Sequence, residues 1–108
     1  MRILVVDGQG GKLGALLVEQ LRSKCPQAEV LAVGSNSIAT SAMLKAGAQG
    51  GATGENPVVY LSPTADLIIG PSGIVMANSL LGEITPAMAV AIGSSKAVKI
   101  LVPLNKCC

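Results

Sequence analysis

Short apolar runs alternate along this chain with stretches that carry their apolar residues at helical spacing. Residues 2–6 are apolar almost throughout, without the alternation of a half-exposed strand, and read as a parallel strand covered on both faces. From Lys12 to Lys24, Leu13, Leu16, Leu17 and Leu21 recur at helical spacing, while Glu19, Gln20, Arg22 and Ser23 take the other side. Pro26 stops that helix. Residues 29–33 form a second strand, and strand, helix and strand within about 30 residues make a right-handed crossover with parallel strands.

Gly34-Ser35-Asn36-Ser37 supplies turn and helix-cap chemistry, 38–46 a short helix, and Gly47 a left-handed cap. Residues 47–56 are glycine-rich and read as irregular. A brief strand is expected at 57–61 and a firmer one at 65–69. The link between them is too short for a crossover helix, which leaves the place of 57–61 in the sheet open. Gly70-Pro71-Ser72-Gly73 repeats the strand end and flexible turn of the opening, so a helix over about 74–82 is expected. Thr85-Pro86 is a cap followed by a first-turn proline, and starts a helix from 86 to about 94. The last strand spans 98–103.

This order predicts an α/β fold: a Rossmann-like three-layer open sheet, mainly parallel, of four to five strands with helices on both faces. Residues 1–108 are one expected domain. It stops straight after a strand, where Rossmann-type domains usually continue, so a missing C-terminal edge element is part of the expectation.

Half of the residues are apolar, but Tyr60 is the one aromatic, and Phe, Trp and His are absent. A core of small and branched aliphatics with 13 glycines suits thin, closely packed helix–sheet layers. Eight basic and six acidic residues give little polar covering to a lone monomer, so a homo-oligomer is expected. The basic residues are dispersed, which argues against nucleic-acid binding. Each apolar stretch is broken by Gly, Pro or charge well before 18 residues, which argues against a membrane span. Met1 leads directly into a strand, leaving no room for a signal peptide, and a cytoplasmic protein is expected. Cys25, Cys107 and Cys108 have no metal-ligand spacing, and with no His a zinc site is not expected.

Chemistry concentrates in Asp7-Gly8-Gln9-Gly10-Gly11-Lys12-Leu13-Gly14. A strand, a glycine turn and a helix start bring unpaired N–H groups and a positive dipole end to one point, which suits a phosphate. Gly8, Gly11 and Gly14 fit G-x-x-G-x-x-G, with Gly8 for the turn, Gly11 for close approach and Gly14 for helix–strand packing. Lys12 is either a solvated first-turn residue or a phosphate contact. The simplest structural reading is that the glycines only permit a tight turn. The loop ends at Gly34, Ser35 and Asn36 and at Gly70 and Ser72 leave the same sheet edge and complete the candidate site.

A dinucleotide such as NAD(P), or another nucleotide, fits this loop incompletely, and the cofactor stays open. The acid that usually grips a ribose after the second strand is replaced by Gly34, Ser35 and Asn36, although Asn36 could bond a hydroxyl. Asp7 brings negative charge to the phosphate site, and two like charges about 4 Å apart repel by about 4 kcal/mol at an effective dielectric near 20. Asp7 therefore turns away to bond loop N–H groups, binds a metal with the phosphate, or signals a ligand without pyrophosphate. A Walker-type loop is excluded, because no G-K-[ST] follows the glycines.

The expected partner is a small phosphorylated ligand in a sensing or regulatory role. The alternatives are an enzyme on a phosphorylated metabolite, with Asp7 or Glu55 as base or metal ligand, and an interaction module without a ligand. Glu55 reads as a solvated turn residue and Glu83 as a helix-end residue, each a general base only if desolvated. Asp66 precedes a strand and should point away from the ligand edge. Met43, Met76 and Met88 read as core filler.

Val6-Asp7-Gly8-Gln9-Gly10-Gly11, the segment 37–48, Gly51-Ala52-Thr53-Gly54-Glu55-Asn56, Ala77-Asn78-Ser79, Leu81-Gly82-Glu83-Ile84-Thr85-Pro86 and 99–105 resemble a small bacterial family. It is a domain of unknown function found largely in anaerobic Gram-positive bacteria. The resemblance covers essentially the whole chain. It implies the Rossmann-like fold and a continuation past the last strand, and it implies no catalytic residue, substrate or cofactor.

Overall fold

The computed structural model describes residues 1–104. Five strands form one parallel sheet: β1 (Arg2–Asp7), β2 (Glu29–Gly34), β3 (Gly50–Thr53), β4 (Leu67–Pro71) and β5 (Val98–Val102). Four helices connect them: α1 (Lys12–Lys24), α2 (Ser37–Lys45), α3 (Glu55–Leu61) and α4 (Pro86–Ser94). The spatial order is β3-β2-β1-β4-β5. The chain thus winds outward from β1 to β3, then crosses back to lay β4 on the other side of β1. Strand order reverses between β1 and β4, and that crevice is where open parallel sheets take their ligands.

Both faces of the sheet are buried, which is why its central strands are apolar throughout. Ile3 and Val5 of β1, Val30 and Ala32 of β2 and Ile69 of β4 pack with Val18 of α1 and with Ala39 and Met43 of α2. Leu4, Val6, Val33 and Ile68 face the other way, against Val58 of α3 and Met88, Ala89 and Ile92 of α4. Val98 and Ile100 pair with Leu67 and Ile69 but stay 66% and 46% exposed at the sheet edge.

Three elements differ from the sequence reading. Residues 57–61, expected as a strand, lie within α3, and the third strand forms instead in the glycine-rich 50–53. Val58 and Val59 suggested a strand by their branching, yet α3 puts Val58 fully in the core and leaves Val59 and Tyr60 exposed. β3 has no apolar signature because it is an edge strand beneath α2, where a methyl on Gly51 would meet Leu44 Cδ2 at 3.0 Å. The helix expected at 74–82 is reduced to one 3-10 turn, Ser72–Val75, followed by a strap through residues 76–84.

Candidate functional site

The turn after β1 is held by the last side chain of the strand. Gly11, with φ +73°, is the residue before α1 and has no side chain with which to cap it. Asp7 supplies the acceptor from below: Oδ1 takes the Gly8 N–H at 2.8 Å, and Oδ2 takes the N–H of Gly14, third residue of the helix, at 2.6 Å. That is the bond a capping Ser or Asp ordinarily makes, delivered from the neighbouring strand. The Gly11 N–H closes the turn on the Gly8 carbonyl at 2.9 Å.

Gly14 permits this geometry, since a methyl there would meet Met43 Sδ at 2.6 Å and Asp7 Cβ at 2.8 Å. Asp7 is only 5% exposed. Burial pushes its carboxyl above the usual range, against the pull of the Gly14 and Gly8 bonds, and the Glu83 charge adds to the rise. Of the readings open for Asp7, the structure realises the one in which it turns away beneath the loop.

With Asp7 turned inward, the outer side of the loop is left to backbone donors. Among the described residues, no acceptor takes the N–H groups of Gly10, Lys12 or Leu13. They open on a cleft of about 350 Å³ lined by residues 7–13 and Leu104. A second cleft of about 410 Å³ joins it at Gln9 and Leu104, with Ser72, Gly73, Met76, Leu80 and Leu81 as its other walls. Gly70 packs β4 directly against the Val6 carbonyl, while Ser72 faces this second cleft. A larger concavity of about 500 Å³, lined by Val59, Pro63 and Ala91 among others, lies between α3 and α4 at the opposite sheet edge, away from these polar groups.

The loop after β2 stands beside the glycine loop. The Ser35 N–H donates to the Asp7 carbonyl at 2.9 Å, and Asn36 caps α2 by accepting the Ala39 N–H at 2.9 Å. The Asn36 amide also donates to the Gln9 carbonyl at 2.9 Å, which ties the two loops together. Thr40, buried behind Gly34, shares a 2.7 Å hydrogen bond with the Thr53 hydroxyl and so fixes α2 to the end of β3.

Glu83 is the residue that sequence reasoning misplaced. It ends no helix; it reaches across both loops. Its Oε1 accepts the Gln9 N–H at 2.8 Å, the Ser35 hydroxyl at 2.5 Å and the Asn36 amide at 2.9 Å. The Gln9 and Ser35 donors hold its carboxyl below the usual glutamate range, Asn36 adds to this, and partial burial opposes it. Nothing local in the sequence marks the residue, since Gln9 lies 74 positions away.

The other candidates are scattered. Glu55 is exposed in the first turn of α3, and its carboxylate makes no hydrogen bond or ion pair among the described residues. Asp66 accepts the Arg2 N–H at 2.7 Å at the opposite sheet edge. Met43 and Met88 are core residues, whereas Met76 is 58% exposed, a correction that stems from the lost helix. Cys107 and Cys108 lie outside the described residues. No group of three or more His, Cys, Asp or Glu side chains gathers among the described residues. Nor is any described helix long and apolar enough to cross a membrane.

The class these features define is an α/β domain with a Rossmann-like parallel sheet and a backbone-lined cleft at its switch point. The chain belongs to the DUF3842 family, a domain of unknown function, whose profile matches residues 2–108. No curated protein and no solved structure matches it.

Proposed function

We propose that this domain binds a nucleotide or another phosphorylated small molecule over the Gly8–Gly14 loop, and that the binding serves sensing or regulation. The observation that carries the reading is the set of outward N–H groups at Gly10, Lys12 and Leu13, left without a protein acceptor among the described residues while Asp7 is turned beneath them. They sit at the positive end of α1, thirteen residues long, where an anion is favoured. Both Asp7 oxygens are engaged within its own loop, which takes away the main support for a base or metal ligand there. Self-association belongs to the same reading, supported by the exposure of Val98 and Ile100, and is measured by light scattering.

Thermal melting in the presence of NAD(H), NADP(H), ATP, coenzyme A and S-adenosylmethionine tests the reading. A ligand at about 100 times its Kd raises stability by about 2.7 kcal/mol, a shift that melting resolves. If none of these compounds shifts the melting temperature, the nucleotide reading fails.

A further inference from the structure

Glu83 lies outside the glycine loop, yet one of its oxygens collects donors that belong to the two loops at the strand ends. Gln9 donates from the loop after β1, and Ser35 and Asn36 from the loop after β2. The set exists because β1 and β2 are neighbours with Asp7 beside Gly34. An oxygen held by three converging donors stands where a phosphate oxygen of a ligand is ordinarily held. The Gln9 N–H is also the chain neighbour of the Gly10 N–H, so this donor set adjoins the outward N–H groups of α1.

The strap that delivers Glu83 is anchored in the core by the fully buried Ile84 and by Leu80, with strained backbone before and between them. Asn78, Leu80 and Leu81 have φ of 67°, 55° and 57°, a left-handed conformation that costs residues bearing a Cβ. Most of its backbone hydrogen bonds close on the strap itself: the N–H of Gly82 donates to Asn78 and Ser79, that of Glu83 to Leu80, and that of Ile84 to Ser79. Leu81 is 96% exposed. Over Gly8 the strap lays Leu80 and Glu83, where a methyl on the glycine would meet each at 2.8 Å.

We propose that Gln9, Ser35 and Asn36 form an anion site, that the Glu83 carboxylate is its resident occupant, and that a ligand phosphate displaces it by moving the Glu83 arm of the strap. The proposal rests on the phosphate reading above and adds where a phosphate is received and what it competes with. Two anions cannot share one donor set, because their charges repel at that distance. The closed strap therefore lowers apparent affinity by the fraction of molecules that are open.

The test uses inorganic pyrophosphate, titrated calorimetrically into the wild-type chain, Glu83→Ala and Glu83→Ala/Ser35→Ala, with circular dichroism checking each fold. Glu83→Ala is expected to bind about tenfold more tightly than wild type, and the added Ser35→Ala to remove most of that gain. Amide resonances of Gln9 and the Asn36 side chain are expected to move during the titration. Equal affinity in wild type and Glu83→Ala makes Glu83 a fixed crosslink and overturns the proposal alone. Weaker binding by Glu83→Ala means that Glu83 itself holds the ligand, and also overturns it. Should Glu83→Ala fail to fold, Glu83→Gln keeps the oxygen and removes the charge; about a threefold gain is expected, and no gain overturns the proposal. Absence of binding in every folded variant overturns the proposal and removes pyrophosphate from the ligands of the glycine loop, while the nucleotide melts still decide the broader reading.

Discussion

After β1 the chain turns through Gly8–Gly11 into a helix of thirteen residues; after β4 it turns through Gly70–Gly73 and yields one 3-10 turn before breaking into a strap. Both exits leave the same sheet edge, and both look alike as a strand end followed by glycines. They differ in whether a side chain caps the first turn. At the first exit Asp7 returns beneath the loop and caps the third residue of α1. At the second, Pro71 stands before the turn and no side chain caps it. Asn78, Ser79 and Gly82 then favour local alternatives to a helix. The Ser79 hydroxyl bonds the Gly73 carbonyl, and the Asn78 N–H bonds that of Ile84 at 2.6 Å. Glycine punctuation permits a turn at both exits, and the full helix grows at the one where a side chain accepts the N–H of the third helical residue. The consequence is chemical: the first exit offers donors, and the second brings a carboxylate to meet them.

The comparison breaks most directly at Asp7. Asp7→Ala leaves the buried Gly8 and Gly14 N–H groups without their acceptor, and a loss of about 3 kcal/mol in urea unfolding is expected. A loss well under about 1 kcal/mol would show that the glycines alone hold the turn.

Gly14→Ala comes next. Alanine usually stabilises a helix by about 1 kcal/mol over glycine, but here the methyl runs into Met43 and the Asp7 side chain. Overpacking costs about 2 kcal/mol, so the net change is destabilising. Gly93→Ala in α4 is the matched control, because a methyl there meets nothing within 4 Å. That variant is expected to gain roughly 0.5–1 kcal/mol by the same unfolding measurement.

These local determinants explain what was legible in the sequence. β1, α1, β2, α2, α4 and β5 follow from apolar spacing and from caps within a few residues of the helix start, and their ends fall within one or two positions of the expected ones. The glycine loop and Ser35-Asn36 were readable for the same reason: each is a continuous run at a strand end. The edge strand β3 was not, because its glycines answer to the closeness of α2 rather than to burial of their own. Val58 and Val59 carried a strand signal that α3 overrode by burying one of them. Glu83 was out of reach altogether. Its partners lie 74, 48 and 47 positions away, and its role depends on a helix that fails to form.

The finest test sets the two carboxylates against each other by pH, since their environments move them in opposite directions. Burial raises the folded-state pKa of Asp7, so its favourable contribution is complete below the ordinary aspartate value of about 3.9 and is lost as pH rises through the higher native value. Donor bonds lower that of Glu83, so its contribution is complete above about 4.3 and is lost as pH falls through the lower native value. On acidification below about pH 5 the two oppose one another in the wild-type chain. Glu83→Gln removes the term that falls, and this variant should lose less stability than wild type between about pH 5 and pH 3, by under about 1 kcal/mol. Asp7→Asn removes the term that rises, and should lose more over the same range. Melting curves across that window read both slopes against wild type, so titrations common to all three chains cancel. If the two variants change slope in the same direction, the loop and the strap are not held by opposed carboxylates, and the contrast between the two exits loses its electrostatic half.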